Sequence, residues 1–281
     1  MSQLYKFAAL WVTTFACALG ILASVAQTDP SLTDSDISAA VCPIVYKLDE
    51  TPSARGYHYT FFGNAFFINE QGYIVTVAHV LETFRDGGQP YILVNRPNSP
   101  PRLLRAAVIA TDSQHDVAIL RATPNPFDGR YRVAFLPLST IAPTPGQSVM
   151  ALSLHPLKIQ SAHTFEFPRE DRSPSEVLSY QSTQLDKSAT ATEVFLISHP
   201  VAHGQSGSPV VALDSRAAVG FIEGRWLRSS GVAAAVADSQ SSSIPGVAIP
   251  IRHAIALLQQ EQISWHAVPL DPTKAVPAHK P

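Results

Sequence analysis

Cysteine is almost missing from this chain. Its 281 residues hold two, Cys17 and Cys42, and Cys17 lies in an N-terminal apolar run that reads as removable. Cys42 is then alone. One cysteine cannot staple a fold, so the mature chain rests on its core even in an oxidising compartment. Cys42 sits in the apolar stretch Ala39-Ala40-Val41-Cys42-Pro43-Ile44-Val45, where a small buried side chain is expected rather than a nucleophile. Charge is sparse too, at 15% of residues with a net of −2. No basic stretch stands out, which excludes nucleic acid as a main partner. Nor is the balance acidic enough for a disordered, solvating chain. There is no internal repeat at a solenoid period, and no long 3.6-residue period before residue 250. What remains is an ordinary globular composition, 46% hydrophobic, able to bury a sizeable core.

The N-terminus is informative. After Lys6 comes an uncharged run over residues 7–26, followed by the polar Gln27-Thr28-Asp29-Pro30. Ser24-Val25-Ala26 puts small residues at the positions a signal peptidase inspects, so residues 1–26 read as a signal peptide cleaved after Ala26. The alternative is an uncleaved anchor, because roughly 20 apolar residues span a bilayer. Thr14-Phe15-Ala16 before Cys17 lacks the leucine of a lipoprotein signal, which argues against lipidation. Export to the outside or the periplasm is the expectation, with membrane attachment only if residues 7–26 stay in place.

Short apolar runs broken by Gly, Pro, Asn and Ser fill the middle of the chain. Residues 59–68, 73–77, 91–94, 106–109 and 117–120 read as strands, as do 148–154, 193–197, 209–213, 217–222 and 246–249. Only 250–262 shows a helical stripe, through Ile251, Ala254, Ile255, Leu258 and Gln262. Many short strands followed by one terminal helix predict an all-β barrel or sandwich. Residues 27–42 form a lead segment and 43–265 the folded domain. Within it lie a first strand set at about 43–137, a linker near 138–146, a second set at about 147–250 and the helix 251–262. Residues 168–191, rich in Ser, Thr and charge, read as a long loop with one strand around 177–180. Residues 266–281 read as a disordered Pro-rich tail.

Chemistry concentrates in three places. His203-Gly204-Gln205-Ser206-Gly207-Ser208-Pro209 frames a serine with glycines, which permit a tight turn that projects the hydroxyl and aims backbone N–H groups at a developing oxyanion. Gly204 and Ser206 would supply those N–H groups. A serine hydroxyl needs an adjacent base, and of the ten histidines His79 lies at the end of the apolar strand 73–77, where a side chain can face a cleft on a rigid backbone. The third role is a carboxylate that fixes the imidazole tautomer. Asp116 leads straight into the strand 117–120, whereas its competitors Asp112 and Asp86 do not. Taken singly, each of the three has a plain structural reading: a turn, a hydrogen-bonded rim histidine, a turn aspartate. Their order along the chain changes that, because His, then Asp, then Ser is the chymotrypsin order and not the subtilisin or α/β-hydrolase one.

Three ordered blocks carry a resemblance: Gly63-Asn64-Ala65-Phe66-Phe67-Ile68 through Thr76-Val77-Ala78-His79-Val80, then His115-Asp116-Val117-Ala118-Ile119-Leu120, then Gly204-Gln205-Ser206-Gly207-Ser208-Pro209. The chain resembles the trypsin-like serine peptidases, in particular the bacterial, disulfide-free HtrA and V8-like glutamyl endopeptidase group, over about residues 40–262. Residues 145–151, 217–221 and 247–250 fit the same group. The resemblance implies two six-stranded antiparallel β-barrels with a C-terminal helix. It also implies an endopeptidase that cuts proteins or peptides through an acyl-enzyme on Ser206, with His79 as base and acid and Asp116 orienting it. No cofactor or metal is implied.

The departures matter as much. Animal trypsins carry Asp just before the serine, where it pairs with a newly cut N-terminus; here that position is Gln205, so ordering of loops is the expected means of any activation. HtrA proteins continue into a PDZ domain, which this chain is expected to lack. Strand 219–224 should wall the primary pocket with Phe221, Ile222 and Glu223, with His203 at the entrance. Ile222 stands where glutamyl endopeptidases carry a histidine, so glutamate preference loses support. Glu223 either favours basic residues or is an exposed loop acid. His199 and His203 are four apart, but they fall in an irregular, proline-bearing loop and not on a helix, which argues against a metal site. Two competing functions remain: a catalytically silent scaffold that binds a protein or peptide, and an esterase on the same triad.

Overall fold

The alternating and continuous apolar runs become two closed sheets. The computed structural model describes residues 32–48, 57–84, 87–96, 99–156, 163–164, 167–185, 190–225 and 244–268. Residues 1–26, expected to be a signal peptide or anchor, and the residues beyond 268 lie outside the described residues. Among the described residues no helix is long and apolar enough to cross a membrane.

A short helix, α1 (Asp34–Ala39), opens the described chain. Thr33 caps it: its hydroxyl accepts from the Asp36 N–H, and the Asp36 carboxylate accepts from the Thr33 N–H at 2.9 Å. This reciprocal box satisfies two otherwise unpaired donors. The first sheet then uses β1 (Val41–Lys47), β2 (Tyr59–Phe67), β3 (Tyr73–Thr76), β4 (Tyr91–Arg96), β5 (Ser99–Asp112) and β6 (Val117–Thr123). Their order is β1-β4-β5-β6-β3-β2, and β2 pairs back onto β1, closing an antiparallel ring. Closure removes the edges that would otherwise expose unpaired backbone. Phe66, Phe67, Ile74, Ile119 and Leu120 are fully buried in its core. Cys42 on β1 is buried and free, and burial pushes its thiol well above the ordinary range, which makes it inert.

The second ring is built from β8 (Ser148–His155), β10 (Arg169–Gln184), β11 (Ala191–Ile197), β12 (Pro209–Ala212), β13 (Ala218–Arg225) and β14 (Gly246–Pro250), in the order β12-β8-β10-β11-β14-β13 with β13 returning to β12. Val149, Val177, Phe195, Val210 and Ile222 are buried together inside it. Three two-residue strands sit at the margins. β7 (Leu138–Ser139), within the stretch expected to link the barrels, runs parallel to β13; β9 (His163–Thr164) joins β2; β15 (Ala267–Val268) runs parallel to β7.

Three expectations change. The tail expected to be disordered from residue 266 is ordered through residue 268, where β15 pairs with β7. Residues 168–191 were expected as a loop with one strand around 177–180. They instead form β10, sixteen residues long, which pairs with β8 along its first half and β11 along its second. Only Ser173 and Val177 are buried along it, so it carries almost none of the apolar alternation by which strands are read. The terminal helix, α2 (Ile251–Gln260), stops two residues short of 262 and buries Ile251, Ala254, Leu257 and Leu258. Leu257 takes a place assigned to Ile255, and Gln262 lies past the helix end at φ +56°. α2 rests on β6, β7 and β13 and so touches both sheets.

Candidate active site

The first ring presents His79 and Asp116. β3 ends at Thr76, and the 3₁₀ segment Ala78–Phe84 turns the chain sharply, leaving His79 at the rim. Asp116 closes the turn before β6 at φ +55°, a conformation that costs most residues energy and that Asp tolerates better than branched ones. The strain is offset by bonds on both carboxylate oxygens. Oδ1 accepts from the His79 backbone N–H at 2.8 Å, and Oδ2 meets the imidazole Nδ1 at 2.6 Å. The Asp116 carbonyl also accepts from the Ala78 N–H at 3.2 Å. A carboxylate only accepts, so Nδ1 carries the proton and Nε2 is left facing away from Asp116. Asp116 is 6% exposed, which keeps this pair strong. Of the competitors, Asp112 is taken up by its own turn, bonding the N–H groups of Gln114 and His115 and the His115 Nδ1 at 2.6 Å; Asp86 lies outside the described residues.

The second ring presents Ser206 on the loop between β11 and β12. Gly204 and Gly207 both take positive φ, +88° and +82°. At Gly207 the requirement is absolute, since a Cβ would lie 2.0 Å from the Asn64 carbonyl oxygen and 2.4 Å from Thr76 Oγ1. The loop is tied down from three sides. Asn64, fully buried on β2, donates its side-chain amide to the Gly204 carbonyl at 2.8 Å and its backbone N–H to the Ser206 carbonyl at 2.8 Å. Its Oδ1 accepts from the Leu154 N–H at 2.9 Å. On the β13 side, the Gly207 N–H donates to the Ile222 carbonyl and the Ile222 N–H to the Ser208 carbonyl, both at 2.8 Å. Behind the loop, buried Gln205 accepts from the Ala202 N–H through Oε1 at 2.6 Å and donates from Nε2 to Ser153 Oγ at 2.9 Å. Among the described residues, the N–H groups of Gly204 and Ser206 meet no acceptor.

The two halves meet at Glu223 on β13. Ser206 Oγ donates to the Glu223 carbonyl at 3.0 Å. One ligand-capable atom each from His79, Asp116 and the Glu223 side chain lie within 4.8 Å of one another. The remaining expected site residues are placed differently. His203 is exposed on the Ser206 loop. Phe221 is fully buried, its ring 6.5 Å from that of Phe66, and Ile222 is buried in the second core. β13 therefore offers the cleft its backbone and Glu223 and not these two side chains. His199 is half-buried and, among the described residues, receives a bond on neither ring nitrogen; its backbone N–H donates to Ser175 Oγ at 3.0 Å. Residues that sequence reasoning passed over include Asn64, Thr76, Ser153 and His155. The only signal for Asn64 was its place in the first signature block, with no hint of its partners.

Comparisons with known proteins agree with this architecture. Residues 63–221 match the trypsin-like peptidase domain family. No curated protein matches the chain. Among solved structures, the apo protease domain of MamO from Magnetospirillum magneticum is 15% identical, with a TM-score of 0.55 over 80% of this chain and 98% of its own. The active form of the Rv3671c protease of M. tuberculosis is 17% identical, with a TM-score of 0.55 over 96% of this chain and 97% of its own. The HtrA-type protease AlgW with a tripeptide is 18% identical, with a TM-score of 0.54 over 80% of this chain and 61% of its own. At such identities the likeness speaks for the fold, while the family match spans more than half of the chain: this protein belongs to the trypsin-like peptidase domain family.

Proposed function

We propose that the protein is a serine endopeptidase that cleaves peptide bonds through an acyl-enzyme on Ser206. The observation that carries this reading is the His79 Nδ1–Asp116 Oδ2 contact of 2.6 Å set against a glycine-framed serine whose neighbouring N–H groups are unengaged. Ser206 Oγ attacks the substrate carbonyl and His79 Nε2 takes its proton. The imidazolium so formed is stabilised by Asp116, and the proton then passes to the leaving amine. Gly204 and Ser206 N–H groups hold the oxyanion, each donor contributing about 10²–10³ in rate. Before attack the Ser206 hydroxyl turns from the Glu223 carbonyl toward His79, a rotamer change that takes place within nanoseconds. A peptide substrate is supported by AlgW, which binds a tripeptide. With Phe221 and Ile222 turned inward, Glu223 and exposed His203 are left, of the expected pocket residues, as the side chains that meet the substrate. The carboxylate disposes the site toward basic residues, and buried Ile222 gives glutamate no partner where glutamyl endopeptidases carry a histidine.

The competing reading is a silent scaffold, and the Ser206 Oγ–Glu223 carbonyl bond is the observation it would use. Labelling of the purified protein with a fluorophosphonate separates the two, since only an activated serine reacts. Comparing peptide with simple ester substrates then separates peptidase from esterase. We also propose that the chain works outside the cytoplasm after cleavage behind Ala26; N-terminal sequencing of the exported protein, beginning at Gln27 or at Met1, decides between release and anchoring.

A further inference from the structure

The oxyanion loop is held from behind by an amide whose orientation is fixed. A backbone N–H can only donate, so the 2.6 Å contact with Ala202 N assigns the near atom of the Gln205 side chain as Oε1. Nε2 then points at Ser153 Oγ, 2.9 Å, and at His155 Nε2, 3.1 Å. An amide nitrogen can only donate as well. The His155 bond therefore exists only while His155 Nε2 carries a lone pair, with its proton on Nδ1. Ser153 Oγ, on the same strand, lies 3.2 Å from the same nitrogen.

We propose that His155 is a positioning residue for the proposed oxyanion loop, acting through Gln205, and that protonating His155 releases that loop. This rests on the peptidase reading of the Ser206 loop. The release has a built-in destination. Asp171 Oδ2 on β10 lies 3.7 Å from His155 Nε2, so a protonated imidazole gains a carboxylate partner as Gln205 loses one of its two acceptors and keeps only Ser153 Oγ. Gln205 can meet the new N–H only by turning its amide over, which strips Oε1 from the Ala202 N–H two residues before Gly204. The other groups facing His155 are His199, which follows β11, and Arg169, opposite it in the β8–β10 register. Burial pulls the His155 imidazole down from its ordinary value, with Asp171 pulling the other way and His199 adding to the depression. At neutral pH it is thus the neutral acceptor that the Gln205 bond requires.

Nuclear magnetic resonance on the intact protein tests the coupling without relying on catalysis. Titrating from about pH 7.5 to about 4.5, across the ordinary histidine range, the His155 nitrogen shifts should show the Nδ1–H tautomer at the start. The Ala202 and Gly204 amides should then move with the same midpoint as His155. In His155→Gln, whose carbonyl accepts from Gln205 without titrating, that movement should vanish; His155→Asn serves if the first variant misfolds. Fluorophosphonate labelling gives the rate side. Through the His155 titration the wild-type rate should fall about tenfold more than that of His155→Gln, which loses rate only as His79 is protonated. His155→Leu, with no acceptor, should label about tenfold more slowly throughout. Static Ala202 and Gly204 amides through the His155 titration would overturn the proposal, as would equal acid slopes in wild type and His155→Gln. A protein that never labels but shows the coupled shifts would sink the peptidase reading and leave the loop coupling standing.

Discussion

The two rings contribute to the cleft in different ways. The first supplies His79 and Asp116 with little machinery: two strand ends and one carboxylate that bonds both the backbone and the ring of the same histidine. The second supplies Ser206 on a loop that must be held by side chains from afar, Asn64 in the other ring and Gln205 reaching β8. The proposed acid–base half is rigid because short elements leave it no freedom. The proposed nucleophile half is rigid only while a buried polar network is complete, and such networks fail sharply when one member is lost. Control is therefore expected on the serine side.

The largest effect falls on both halves equally. Ser206→Ala and His79→Ala should each lower turnover by about 10⁶-fold, since residues that act as a unit fail together, while thermal unfolding stays close to wild type. A variant retaining wild-type turnover would break the pairing of the two halves. The next change strikes the serine side alone. Gly207→Ala places a methyl on the Asn64 carbonyl at a positive φ, and should destabilise the fold by roughly 3 kcal/mol or more in denaturant titrations, the range reserved for core clashes and backbone strain. Asn64→Ala leaves the Leu154 N–H without its acceptor and frees the Gly204 carbonyl. A loss of about 2–3 kcal/mol in stability is expected for buried groups left unpaired, with slower Ser206 labelling as its signature on the loop.

Smaller effects sharpen the comparison. Glu223→Gln removes a negative charge beside His79, so the imidazolium is less favoured and the acid limb of the rate profile should move to lower pH. A limb that stays fixed would take Glu223 out of the electrostatics of the pair. The smallest concerns the fold and not the cleft. Burial, with His115 stacked 4.1 Å away, pushes the His253 imidazole down to about 4, whereas the unfolded chain protonates it near the ordinary value of about 6.5. The contribution of neutral His253 to stability is therefore complete above that value and is lost as pH falls toward 4. Urea unfolding of His253→Gln should show a shallower decline across this window than wild type.

What could be read from the chain follows the same division. His79 and Asp116 were legible because each abuts an apolar strand that announces itself, and Gly204 and Gly207 because glycines around a serine imply a turn. Asn64 was not, since its partners Leu154 and Gly204 lie 90 and 140 residues away and a lone Asn in a strand has no pattern of its own. The length of β10 escaped for the opposite reason: its backbone pairs fully while its side chains stay polar, and strand reading depends on side chains. Phe221 and Ile222 show a third limit. Neighbouring residues on a strand point to opposite faces, and on β13 both faces are covered, one by each core cluster. Periodicity alone does not reveal that.

The most direct test of the whole account is fluorophosphonate labelling of the purified protein with the adduct mapped by mass spectrometry. An adduct on Ser206 that disappears in His79→Ala is the predicted result and establishes a serine activated by that histidine. A folded protein that leaves Ser206 unlabelled from acid to alkaline pH would contradict the account, and the cleft would then be a binding surface on a peptidase fold.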